Sequence, residues 1–172
     1  MGPIKTLKEL KMANLDQQNG LKPYERLIRA RKYIAGSTVY PGDPVAIAAD
    51  GQVDSSVTGP LLGVALNYAT VGQDLMVADD PQQMFTVQAS ASLAVTDVAC
   101  NAALTLGTAS TLYKRSACVL DASSAGTLAT REAKIVAIDE SVNNAAGSTL
   151  VDVVIKINNH FLASGTGTAG IA

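Results

Sequence analysis

Residues 59–88 carry three short apolar runs separated by turn chemistry, and the length of those runs restricts the fold more than any other feature. The runs cover 61–66, 75–78 and 84–87, four to six residues each. That length suits a β-strand and falls short of an ordinary helix. Between the first two lies Val71-Gly72-Gln73, where glycine reaches positive φ without steric penalty. Between the second and third lies Asp79-Asp80-Pro81, where proline fixes its own φ and drives Asp80 into an extended conformation. The expectation is a compact up-and-down unit of three strands on which the rest of the chain is hung.

The same reading extends outward. Asp50-Gly51 between 45–48 and 52–53 is a hairpin signal. Val151, Val153, Ile155 and Ile157 alternate with Asp152, Val154 and Lys156, the period of a half-buried strand with its aliphatic face inward. Residues 93–95, 116–120 and 131–138 read as further strands; 96–111, 121–127 and 139–148 read as loops. Residues 23–34 fit two patterns. A helix would line up Tyr24, Leu27, Ile28 and Arg31, whereas a strand would set Leu27 and Arg29 against Ile28 and Ala30; the reading leans to a helix or an irregular lead-in. About eight short strands with little helix predict an all-β fold, an antiparallel β-barrel or jelly-roll-like sandwich. The expected division is an extended basic N-terminal arm over 1–35, a β-body over 36–162 and a flexible tail over 163–172.

Composition sharpens this. Aromatics make up 4% of the chain and tryptophan is absent, so the core has to be built from Val, Ile, Leu and Ala. Such side chains bury less area per ordered residue than rings do, which favours an oligomer. Residues 1–40 hold eight of the thirteen Lys and Arg against three acids, a surplus of five. The remainder holds five against twelve, a deficit of seven, which gives the net −2. A basic arm on an acidic body is a polarised molecule, and it makes Lys5, Lys8, Lys11, Lys22, Arg26, Arg29, Arg31 and Lys32 the candidate contacts to an acidic partner surface. Nucleic acid fits poorly, because the body is acidic and lacks a stacking platform.

Nothing points to chemistry. Cys100 and Cys118 lack CxxC spacing and have one histidine, His160, for company, so they read as buried apolar side chains rather than a zinc site. Asp79-Asp80 reads as a turn, not an acid–base pair. No nucleophile, phosphate-loop, zinc or calcium motif is present. The expectation is no enzyme, no cofactor and no metal. There is also no run long enough to span a bilayer and no apolar segment behind Met1 of the kind a secretory signal needs.

One order of signals carries a resemblance: GDPVAIAADGQV, then GPLLGVAL, then an aspartate–proline turn before MFTVQ, then SACVLDASS, and VVIKINNHF near the end. From Val39 to Phe161 the chain resembles the capsid decoration (cement) proteins of tailed bacteriophages. The resemblance implies an all-β body on the outside of the head, a homotrimer, and contacts to the major capsid protein that include an N-terminal arm. It implies a virion protein made in the host cytoplasm. The alternatives are another virion component, such as a tail-tube or minor head protein, and a β-sandwich binding module.

Overall fold

The computed structural model describes residues 16–139, 141, 144–163 and 166–171. Its chain is all-β, as two antiparallel sheets forming a sandwich. Of the two all-β forms expected, the sandwich is the one observed and a closed barrel is not.

The second sheet is easiest to build from sequence. β3 (Pro44–Ile47) and β4 (Val53–Ser55) pair with Val45 opposite Ser55 and Ile47 opposite Val53. Their turn is held where expected: Gly51 has φ +81°, and the Asp50 carboxylate accepts from the Gln52 N–H at 3.0 Å. β5 (Gly63–Ala65) and β6 (Asp74–Ala78) pair across the turn at Gly72, whose φ is +80°. β2 (Arg31–Ile34) then adds to β6, giving the order β2-β6-β5-β3-β4. This sheet curls until its edges touch at one bridge, Ala35 to Val53. One bridge is not a ladder, so the curl stays open.

The run 84–87 does not complete a three-stranded unit with its predecessors. β7 (Met84–Gln88) lies in the other sheet. The connection at Asp79-Asp80-Pro81 is not a hairpin turn: the Asp79 side chain is fully buried, and the chain passes through it from one sheet to the other. In that first sheet the order is β1 (Lys22–Pro23), β7, β12 (Asp152–Ile157), β11 (Ala133–Ile138) and β8 (Asn101–Ala102). A separate two-stranded ribbon of β9 (Leu104–Leu106) and β10 (Cys118–Leu120) packs beside it.

Four further expectations change. Residues 23–34 form no helix; β1 and β2 lie in this region, and Leu21 just before it is buried. The described part of the expected arm is therefore woven into both sheets. Residues 93–95 form no strand and lead into a short 3-10 turn at Val95–Asp97, while the expected loop 96–111 contains β8 and β9. The described tail residues run along the β8 end of the first sheet: Asn101 Nδ2 donates to the Thr168 carbonyl at 2.6 Å, and the Ile171 N–H donates to the Ala99 carbonyl at 3.1 Å.

Side-chain alternation explains why there are two cores. Leu61, Val64 and Ala78 face the first sheet and pack with Phe85, Val87, Ile135, Val153 and Ile155. Leu62, Ala65, Leu75 and Val77 face the other way and fill the curl with Val39, Val45 and Val53. β5 is thus buried on both faces. At Gly63 an added Cβ would collide with the Ala78 carbonyl oxygen, so the close approach of β5 and β6 requires glycine.

Candidate interaction surface

The structure sorts the eight basic candidates. Lys5, Lys8 and Lys11 lie outside the described residues. Arg29, Arg31 and Lys32 are used internally. Arg29 Nε donates to Asp79 Oδ1 at 2.8 Å, and its Nη2 donates to the Asp79 carbonyl at 2.9 Å. Arg31 Nε stands 3.6 Å from Asp79 Oδ2, and Lys32 Nζ lies 3.2 Å from Asp74 on the next strand. Asp79 also accepts from the Tyr33 hydroxyl at 2.7 Å. A buried carboxylate is tolerable only with such donors around it. Burial, and then the bond to the carboxylate, push the Tyr33 phenol up; the bond to Asp79 raises Arg29. Lys22 and Arg26 remain exposed, with no ion pair among the described residues.

Arg26 sits in the loop that carries the chain from β1 to β2, and this loop is fastened along its length. The Tyr24 N–H donates to the Met84 carbonyl at 2.9 Å. The buried Gln83 side chain reaches under the loop: its Nε2 donates to the Arg26 carbonyl at 3.2 Å, and its Oε1 accepts from the Ile28 N–H at 2.8 Å. Arg29 closes the far end on Asp79. Yet Leu27 and Ile28 turn outward, 43% and 49% exposed. Ordering backbone and then leaving aliphatic side chains in water stabilises nothing within the chain.

A second group was not legible in the charge count. The loop of residues 110–115 exposes Leu112 and Tyr113 at 79% and 72%. Lys114 Nζ lies 4.5 Å from the Tyr68 ring centroid, and Arg115 stands over Tyr113 at 5.7 Å. Such cation–ring contacts hold the long side chains in place. The only sequence signal was the Tyr113-Lys114-Arg115 cluster within an otherwise small-residue stretch. Lys22 and Pro23 share a groove of about 480 Å³ with Arg115, floored by Leu21, Ala65 and Leu66. Arg115 thus brings the end of the 110–115 loop to the same groove as β1.

His160 is a packing residue. It is buried, its Nδ1 accepts from the Leu162 N–H at 3.1 Å, and burial pulls its pKa down. Cys100 and Cys118 are buried free thiols. Among the described residues no three His, Cys, Asp or Glu side chains are grouped to hold a metal ion, and no helix is long and apolar enough to cross a membrane. Comparison with protein-family models and with curated proteins finds no match.

Proposed function

We propose that this chain is a structural protein of a virion, a decoration or cement protein that binds the outside of a tailed-phage head and stabilises the lattice of its major capsid protein. The observation that carries the reading is the loop between β1 and β2, fastened by Gln83 and Asp79 while it presents Arg26, Leu27 and Ile28 to solvent. A preordered loop loses little further entropy on docking, so its aliphatic area converts to affinity with less loss than a free segment would. A protein that binds only the assembled shell stabilises it by mass action, and many copies add avidity. In this reading the body associates as a homotrimer, Lys22, Arg26 and the 110–115 loop face the acidic shell, and no chemistry is performed.

The test is co-sedimentation with undecorated heads of the cognate shell. Leu27→Asp and Arg26→Glu, each checked for an unchanged thermal melt, should weaken binding about tenfold or more. Full saturation of heads by both variants at unchanged affinity would overturn the assignment of this loop. Failure of the parent protein to bind heads at all would overturn the function.

A further inference from the structure

The first sheet leaves one aliphatic groove uncovered. β11 pairs with β8 only at Ala133 and Lys134, so Val136, Ala137 and Ile138 run on beyond that partner. With Val95, Val98 and Ala146 they line a groove of about 510 Å³. Val95 and Val136 stand out in water. None of the described residues lining it is Lys or Arg, and Asp97 and Asp139 stand next to lining residues in the chain. The site therefore asks for an aliphatic occupant with positive charge beside it.

Residues 1–15 have that chemistry. Ile4, Leu7, Leu10 and Met12 are interleaved with Lys5, Lys8 and Lys11 against a single acid, Glu9. The place where this segment joins the described chain is also fixed. The Gln17 N–H donates to Gln88 Oε1 at 3.1 Å, at the end of β7. Gln88 is in register with Asp152 on β12, and the Asp139 N–H donates to the Asp152 carbonyl at 3.0 Å. Two strand spacings, about 10 Å, thus separate the anchor strand from the groove wall. Fifteen residues reach about 50 Å when extended and about 22 Å as a helix, so the groove is within range either way.

We propose that residues 1–15 dock in the β11 groove of their own copy, with Leu7 and Leu10 against Val95, Val98 and Val136 and the lysines beside Asp97 and Asp139. Burial of the two leucines drives the docking, while the exposed ion pairs orient the segment and add little affinity. Attachment at Gln17 makes the event intramolecular, at an effective concentration on the order of millimolar. The inference does not rest on the proposed function. It assigns Lys5, Lys8 and Lys11 to the protein itself rather than to a shell.

Zero-length carbodiimide crosslinking of an equimolar mixture of ¹⁴N and ¹⁵N full-length chains, mapped by mass spectrometry, tests it. The expected result is links from Lys5, Lys8 or Lys11 to Asp97 or Asp139 within one isotopic copy. Their yield should drop about tenfold or more in Leu7→Asp/Leu10→Asp, a variant that leaves every described residue in place. Methyl resonances of Val95 and Val136 should shift in the same variant. Absent links, links of unchanged yield in the variant, or unmoved methyls would overturn the docking. Links mainly between heavy and light copies would overturn the same-copy assignment and make a second copy the occupant.

Discussion

Replacing Asp79 by alanine isolates the cluster that joins the two sheets. The side chain is fully buried and lies where the chain leaves β6 for β7. Three consequences follow from the geometry. The Tyr33 hydroxyl, 2.7 Å away, loses its acceptor in a half-buried setting, at a cost of about 1–3 kcal/mol. The missing carboxylate leaves a small void, worth about 1 kcal/mol. Arg29 loses the Asp79 carboxylate but keeps Asp80 at 3.7 Å and reaches water, so no share is assigned to it. The total is about 2–4 kcal/mol, which at a slope of about 2 kcal/mol per molar urea lowers the unfolding midpoint by about 1–2 M. Asp79→Asn keeps one acceptor and should lose roughly half as much. Equilibrium urea unfolding followed by circular dichroism measures both. A double cycle with Tyr33→Phe should show coupling of about 0.5 kcal/mol or more. A midpoint for Asp79→Ala within about 0.2 M of the parent, or an additive cycle, would refute the view that this carboxylate ties β2 to the sheet junction.

Three more outcomes are expected. Deleting residues 1–35 removes β1, β2, buried Leu21 and Ala35 together and should abolish cooperative thermal melting, whereas deleting 1–15 should preserve it; a cooperative melt in the longer deletion would show that the sheets do not need these strands. Asp43 is buried, accepts from the Tyr40 N–H at 2.9 Å, and is pushed above the usual carboxylate range chiefly by burial. Its raised native pKa makes its contribution most favourable in acid and progressively lost as pH rises through that pKa, so Asp43→Asn should gain relative to the parent between pH 4 and pH 7 in melts; a constant difference across that range would contradict the assignment. Gly63→Ala places a methyl against the Ala78 carbonyl and should lower stability by about 2–4 kcal/mol in urea unfolding; a loss under about 0.5 kcal/mol would mean β5 and β6 separate easily.

The last strand was the most legible element. Val151, Val153, Ile155 and Ile157 share one face in the first core, because period-two alternation records an inward face directly, although Val154 on the other face is buried as well. The Asp50-Gly51 hairpin was equally plain, since its signal is local. Which sheet a strand joins was not. The segments ending at Ala78 and starting at Met84 read as neighbours, but they part company because partner choice depends on what Asp79 and Gln83 bind, and those donors come from some fifty residues upstream. β8 and β9 were missed because two- and three-residue strands are too short for a period to show. At the candidate surface, charge counting found Arg26 but could not separate it from Arg29 and Arg31, whose carboxylate partner is remote in sequence. Leu27 and Ile28, which fitted one face of a helix, instead face water from a loop.

Among the described strands β12 is the last to be made, and it is the middle strand of its sheet. The strands of the second sheet all lie within residues 31–78 and can pair while the ribosome is still translating. The first sheet cannot. β7 ends at residue 88 and β12 at residue 157, an interval of about 3–14 s at roughly 5–20 residues per second. Throughout that interval β7 exposes the edge that β12 will occupy, and β11 joins it in the same state once made. A nascent chain stalled there, or a product cut short before Asp152, carries open strand edges side by side with no way to close them. Completion of the sheet is therefore a single event that waits for β12, and the vulnerable species in any expression host is the polypeptide that has not yet reached Asp152 rather than the folded protein.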